Sequence, residues 1–181
     1  MTPTATMLAC LLGIFAMGGA LALGVGPGQQ EGQPAASGPT EIALPETHHG
    51  AWAGPNRLWI FDPTTPDRSD GTVEVAAKTV RYTWSRGDKD HEGVIELAGQ
   101  PGALRCEWTD SFHAGGGMTL HGYQHEGVVH LYGTYPAGPG QPDWGWQIEL
   151  DARDREAFVL RMFNVVPGHG PMPAVVLHGT R

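Results

Sequence analysis

The sequence predicts an all-β domain in which many short antiparallel strands form a sandwich or a closed barrel. Its apolar runs are short, rich in Val, Tyr and Trp, and alternate with polar residues. Glycine and proline, with 27 and 15 residues, separate these runs at regular spacing. No segment has the apolar periodicity of a long amphipathic helix, and "DARDREAF" (151–158) is best interpreted as a turn.

Strand segments can be assigned in order along the chain from alternation and from the turn residues between them. The links "GDKD", "GQPG", "AGGG" and "VPGHGP" carry the Gly, Pro and Asp typical of turns. The predicted strands are residues 57–61, 72–84, 93–97, 104–112, 118–124, 128–135, 144–150, 157–165 and 174–180.

The N-terminal region has a different composition from the rest of the chain. Residues 7–25 are apolar and uncharged, and Ala20-Leu21-Ala22 could form a cleavage site, which favours a signal peptide at 1–22. An uncleaved segment of this length could instead anchor the protein in a membrane, its only expected membrane contact. Both alternatives predict export, to the periplasm or the medium. Residues 23–46 are predicted to be a flexible tether, and residues 47–181 the folded domain.

Charge and cysteine content exclude some classes of function. A net charge of −8 argues against a nucleic-acid partner, which requires a basic surface. Only one of the two cysteines, Cys106, lies within the predicted domain, so no intramolecular disulfide is expected there. Cys106 is expected to be buried as a small apolar residue.

The stretch from Trp108 to Tyr135 contains four of the nine histidines and raises the question of a metal site. On a strand, residues four apart are separated by roughly 13 Å, so His121 and His125 cannot share an ion. The stretch "HEGVVH" also lacks the helical spacing of a zinc-protease motif. The sequence therefore predicts no metal site.

Pairing within this stretch predicts a hairpin with two distinct faces. Glu126-Gly127 fits a tight two-residue turn, which would set Tyr123 opposite His130 and His121 opposite Tyr132. The other face is then apolar. We favour an apolar interior with the His/Tyr face in solvent, the default for a sheet with one wetted face. The alternative is that the His/Tyr face lines a polar cavity.

Several motifs resemble known families. Gly50-x-Trp52 and Arg181 look like the calycin signature of lipocalin-type barrels, in which a Trp closes one barrel end and an Arg packs across its ring. The segments "CEWTDSFHAGGGMTLHG", "PDWGWQIEL" and "LRMFNVVPG" resemble the uncharacterised, mostly bacterial lipocalin-like domain-of-unknown-function family 1579. The likeness covers residues 50–181 and implies a single antiparallel calycin-like β-barrel, for which the strand count suggests about eight to ten strands. The resemblance implies no particular activity. The best-matching positions are Trp108, Asp110, Ser111, His113, Trp144, Trp146, Met162 and Asn164.

A binding protein is favoured over an enzyme. A closed barrel of this size can hold one small molecule, and such pockets combine apolar walls with a few polar groups. We therefore expect a small apolar or aromatic ligand at one end of the barrel, with no cofactor required. The predicted ligand-binding residues are three that offer stacking surfaces and three that orient polar atoms: Trp108, Trp144, Trp146, Asp110, His113 and Arg161.

Three alternative functions stay open. A heme-binding barrel would use His121 or His130 as the axial ligand. An envelope interaction module would use the tether to present the barrel to a protein partner. An acid–base enzyme would combine His113 with Asp110, which requires a bulge that turns both side chains inward. A Ser111 nucleophile is disfavoured because the chain has no G-x-S-x-G elbow.

Overall fold

The computed structural model describes residues 41–60, 62 and 64–181. These residues form ten antiparallel strands that close into one barrel, which confirms the predicted class and strand number. The predicted signal or anchor (1–22) and the tether up to residue 40 lie outside the described residues. Within the described part of the chain, no helix has the length and apolarity needed to cross a bilayer.

Each strand pairs with the next one in the sequence, and β1 pairs with β10 to close the barrel. A short 3₁₀ helix, Glu46–His48, precedes the first strand. The strands are β1 Gly50–Leu58, β2 Asp67–Val75, β3 Thr79–Arg86, β4 Lys89–Gln100, β5 Ala103–Asp110, β6 Ala114–His125, β7 Val128–Tyr135, β8 Trp144–Asp151, β9 Ala157–Val166 and β10 Gly170–Thr180.

Most predicted strands differ from the structure at their end residues, and the largest differences are in the first two. The segment 72–84 is two strands, because the chain reverses after Val75 without a Gly or Pro. Backbone pairing stabilises this turn: Ala76 N–H donates to the Thr79 carbonyl at 2.8 Å, and the Lys78 carbonyl accepts from Leu97 N–H at 2.8 Å. The first strand begins at Gly50 rather than at residue 57, and it ends at Leu58.

Packing begins earlier in the chain than the predicted domain start at residue 47. Ile42 and Leu44, which were assigned to the tether, are buried in the core. The Ile42 N–H donates to the Gly99 carbonyl at 2.9 Å, and the Leu44 N–H donates to the Ala77 carbonyl at 2.7 Å. Composition did not reveal this, because two aliphatic residues in a polar segment find their partners only across the barrel end.

The β6–β7 hairpin has the predicted turn and register. Glu126 and Gly127 have φ of 47° and 80°, as a tight two-residue hairpin turn requires. The register pairs His121 with Tyr132 and Tyr123 with His130. Leu120 and Leu131 are fully buried, whereas the exposed fractions of Tyr123 and Tyr132 are 50% and 48%. The apolar face is therefore the barrel interior, as favoured above.

One end of the barrel, here called the Trp52 end, is closed by aromatic and cationic side chains. The Trp52 indole is buried, and its Nε1–H donates to the His48 carbonyl at 2.8 Å. The Arg181 guanidinium carbon lies 4.1 Å from the Trp52 ring centroid, and its Nη2 donates to the His49 carbonyl at 2.7 Å. The polar atoms of this plug are thus paired with backbone carbonyls.

Candidate functional site

The opposite end of the barrel, here called the His113 end, carries the turn 111–113 between β5 and β6. The β5–β6 register shifts between Trp108 and Asp110, so the last residue of β5 pairs with Ala114 and the turn projects from the sheet. The His113 ring centroid lies 6.1 Å from that of Trp84 and 5.1 Å from that of Trp146. These tryptophans come from β3 and β8, which stand opposite each other in the strand order. The His113 ring therefore lies across the barrel end.

Asp110 is the centre of a hydrogen-bond network at this end. Its side chain has 0% exposure, and Oδ1 accepts from the Phe112 N–H at 2.8 Å and the His113 N–H at 2.6 Å. The same oxygen lies 3.1 Å from His113 Nδ1. Its Oδ2 accepts from the Tyr82 hydroxyl at 2.6 Å, and that hydroxyl accepts from Trp108 Nε1–H at 2.8 Å. The register shift thus brings Asp110 and His113 together, which meets the geometric condition of the acid–base alternative.

The charges in this network follow from its pairing. Burial would raise the Asp110 pKa, but hydrogen bonds from His113 and Tyr82 outweigh it, so the pKa is lowered. Burial, together with the Asp110 charge, raises the Tyr82 pKa well above its usual value, so Tyr82 is a neutral donor. An ionised carboxylate only accepts hydrogen bonds, so the network assigns the His113 proton to Nδ1. In a neutral ring, Nε2 is then an acceptor.

Aromatic rings form the walls around this network. Trp108 and Trp146 stack with centroids 5.1 Å apart and an interplanar angle of 13°. On the other side, Trp84 lies 4.5 Å from the His91 ring and 5.2 Å from the Phe112 ring. Phe112 is 36% exposed and stands at the rim. A planar apolar molecule would find stacking surfaces here.

Three buried polar atoms have no hydrogen-bond partner among the described residues: Trp84 Nε1, Trp146 Nε1 and Asn56 Oδ1. Buried polar groups in folded proteins are nearly always paired, and an unpaired one costs about 1–3 kcal/mol. Both indoles flank His113, whereas the N–H groups of Trp52 and Trp108 are paired. The two indole groups beside His113 therefore mark a place where a ligand or ordered water can bind.

The structure brings together four of the six predicted ligand-binding residues, namely Trp108, Asp110, His113 and Trp146. Trp144 lies further out, with its ring centroid 6.4 Å from that of Tyr135, which is itself 6.4 Å from Trp146. Arg161 is not part of the group. Its Nη1 lies 3.1 Å from Asp151 Oδ2, in an ion-pair network on the outer wall.

The two histidines considered for heme are also on the outer wall. His121 is exposed, and the His130 ring stacks on Tyr123 at 5.0 Å with its Nδ1 3.5 Å from Glu149 Oε1. Neither imidazole faces the interior, so neither could ligate a porphyrin held inside the barrel. In the described ranges, no three His, Cys, Asp or Glu side chains are grouped closely enough to hold a metal ion.

A groove of about 770 Å³ lies on the outer wall beside the His113 end. Its lining includes the exposed Thr72, Thr83, Asp90 and Glu92. Trp84 borders the groove, but its Nε1 has no solvent exposure and is not reached from it. The unpaired Trp84 indole group is therefore not part of this groove.

Tyr82 and Trp84 are site residues that the sequence analysis missed. A usable signal was present, because a two-residue turn at Gly87 and Asp88 places Tyr82 opposite Gly93. A Cβ on Gly93 would lie 2.1 Å from Tyr82 Cζ, so the phenol ring occupies the space above the glycine. Tyr82 also shares a face with the buried Val80 and Trp84.

The arrangement combines stacking surfaces, two indole donors and one imidazole acceptor in a largely buried place. Such a combination of apolar walls and a few convergent polar groups is typical of small-molecule sites. Comparison with protein-family models and with curated protein sequences finds no match to this chain.

Proposed function

We propose that the barrel binds a small, largely apolar aromatic molecule at its His113 end. The observation that carries this proposal is the pair of buried, unpartnered indole N–H groups of Trp84 and Trp146 on either side of His113. A ligand that accepts hydrogen bonds would satisfy them, and its ring could stack on the tryptophans. We infer a binding role because stacking surfaces and unpartnered donors surround His113.

The ligand must displace part of the present packing. Both indole nitrogens are buried, and His113 lies between their rings with a side-chain exposure of 14%. Movement of the 111–113 turn would open the barrel end, and this turn carries the exposed Phe112. The ligand is therefore expected to change the environment of this turn together with that of the two indoles.

We also propose that the domain is exported and belongs with the lipocalin-like proteins that it resembles. Export is supported by the uncharged apolar run of residues 7–25, and the family by the motifs within residues 50–181. Membrane attachment would occur only through the N-terminal segment if it stays uncleaved. Fractionation of expressing cells, with N-terminal sequencing of the mature protein, tests both export and cleavage. Recovery of the intact chain from the cytosol would refute export.

Indole ¹⁵N–¹H NMR tests the proposed ligand site directly, because each of the six tryptophans carries one indole N–H group. Acetophenone supplies an aromatic ring with an acceptor, and ethylbenzene supplies a ring without one. We expect acetophenone to shift the Trp84 and Trp146 signals, and ethylbenzene to shift them less. The Trp52 signal is the internal control, because its N–H is bonded to His48 at the other end.

Assignment by Trp84→Phe and Trp146→Phe completes the test. If a wider set of aromatic carbonyl compounds left both signals in place, ordered water would be the partner of these groups and the proposal would be wrong. Equal shifts of all the indole signals would indicate nonspecific association and would also refute it.

A further inference from the structure

One ring nitrogen of His113 contacts the protein, and the other has no hydrogen-bond partner among the described residues. Its Nδ1 lies 3.1 Å from the Asp110 carboxylate, whereas no described residue is hydrogen-bonded to Nε2. The ring is largely buried between Trp84 and Trp146. A neutral imidazole in this tautomer presents a lone pair at Nε2 to whatever occupies the site.

The rest of the network fixes this arrangement. Asp110 Oδ1 also accepts hydrogen bonds from the backbone N–H groups of Phe112 and His113. These bonds fix the carboxylate relative to the 111–113 turn. The Tyr82 hydroxyl donates a hydrogen bond to the other carboxylate oxygen. A carboxylate that accepts from one imidazole nitrogen fixes the tautomer and orients the ring.

We propose that His113 Nε2 takes a proton from an acidic O–H group of the bound aromatic molecule, so that the site selects phenols. This inference rests on the proposed ligand-binding function. The ligand O–H bond breaks, its electron pair stays on the oxygen, and an N–H bond forms at Nε2. A phenolate then lies beside an imidazolium, whose charge Asp110 balances. The indole N–H groups of Trp84 and Trp146 are the available donors for the phenolate oxygen.

The charged and titratable groups around His113 are compatible with this proton transfer. Asp110 from β5 is the carboxylate in contact with the ring, and Tyr82 from β3 contacts Asp110 as a neutral donor. His91 from β4 contacts Phe112 rather than His113, with centroids 5.0 Å apart. The Arg86 guanidinium lies 5.9 Å from the Phe112 ring at the rim. Asp110 thus provides the local negative charge that an imidazolium requires.

A matched pair of probes tests the inference on the full folded domain. Para-nitrophenol has the acidic O–H, and its phenolate has a separate long-wavelength absorption band. Para-nitroanisole has the same ring with that proton replaced by a methyl group. At a pH where free para-nitrophenol is mostly un-ionised, we expect the bound phenol to show the phenolate band. We also expect it to bind about tenfold or more tightly than the anisole.

Three variants identify the proton acceptor. His113→Gln should abolish the phenolate band and leave para-nitrophenol binding no tighter than the anisole, and Asp110→Asn should weaken the band because it removes the charge that balances the imidazolium. His121→Gln, the same exchange on the outer wall, should keep the full band. Retention of the native Trp52 indole signal, which arises at the opposite end of the barrel, shows that each variant is folded.

The outcomes separate this inference from the proposed function. Equal binding of both probes without a phenolate band would overturn the proton transfer and leave aromatic binding supported. A phenolate band that survives in His113→Gln would assign the proton to another group and would also overturn it. Failure of para-nitrophenol to bind would overturn it as well, whereas the acetophenone experiment decides the binding function separately.

Discussion

The two ends of the barrel use the same kinds of side chain in opposite ways. At the Trp52 end, the indole N–H donates to the His48 carbonyl and a guanidinium covers the ring. At the His113 end, the indole N–H groups of Trp84 and Trp146 are buried without partners among the described residues. The first end satisfies its own polar groups, as a structural plug does. The His113 end has hydrogen-bond donors that a bound molecule could satisfy.

The hydrogen-bond partners differ in kind as well. The plug is bonded to the backbone carbonyls of His48 and His49, in the segment that precedes β1. The His113 end is built from side chains, with Asp110 bonded to both Tyr82 and His113. Networks of buried ionisable side chains, with pKa values moved from their usual range, are typical of functional sites. Stability should therefore depend more on the first end, and ligand binding on the second.

Trp52→Ala should give the largest loss of stability. Removal of a fully buried tryptophan leaves a cavity at the plug, and such truncations cost about 3–5 kcal/mol in the free energy of unfolding. Urea unfolding of the variant and the native domain measures the difference. The indole signals at the His113 end should still respond to acetophenone in the folded fraction. A loss below about 1 kcal/mol would contradict the role of Trp52 as a plug.

Leu131→Ala should cost about 2–5 kcal/mol, because this leucine is fully buried in the wall between the two ends. Its control is His121→Ala on the outer face of the adjacent strand, which should change stability by no more than about 0.5 kcal/mol. Denaturant titrations of both variants provide the comparison. A larger effect from the histidine than from the leucine would be inconsistent with an apolar interior.

Tyr82→Phe should cost about 1–3 kcal/mol, because it deprives both Asp110 Oδ2 and Trp108 Nε1 of a buried hydrogen-bond partner. The effect on ligand binding should exceed what this loss implies, since Asp110 orients His113. Thermal unfolding measures the first quantity, and the para-nitrophenol titration measures the second. Unchanged binding would show that the hydroxyl supports only the fold.

Low pH should remove part of the stability that the Tyr82 hydrogen bond contributes. The Asp110 pKa is lowered in the folded state, with a contribution from the Tyr82 hydrogen bond. At a pH between the Asp110 pKa values of the folded and unfolded states, the unfolded chain binds more protons than the folded domain does. The resulting stability is thus fully present above the unfolded value of about 3.9 and is lost as pH falls through the folded value. Tyr82→Phe should therefore lose less stability than the native domain between about pH 6 and pH 3. Equal losses in urea titrations would rule out this coupling.

Arg181→Met should have the smallest effect among these variants. The guanidinium is exposed, and an exposed cation over an aromatic ring contributes about 0.5–1 kcal/mol. The methionine keeps part of the apolar cover, so thermal unfolding should show a small decrease and ligand binding should stay unchanged. A loss as large as that of Trp52→Ala would mean that the charge, rather than the indole, closes the end.

Rules that act over a few residues were enough to predict much of the fold. The β6–β7 hairpin follows from a turn that needs positive φ at Glu126 and Gly127, and its faces follow from the two-residue period of a strand. The same rules missed the turn after Val75, because it contains no Gly or Pro and is held by pairing with β4.

The site depended on contacts that join distant strands. Motif likeness indicated Trp108, Asp110, His113 and Trp146, but on a regular strand the Asp110 and His113 side chains would point to opposite faces. The register shift reverses that expectation. Barrel closure places Trp84 and Trp146 from opposite strands on either side of one imidazole, and it directs Arg161 outward to Asp151. The alternation of apolar and polar residues indicates which face of its own strand a residue lies on. Which side chains meet across the interior depends on strand number, register and closure, and these are properties of the whole sheet.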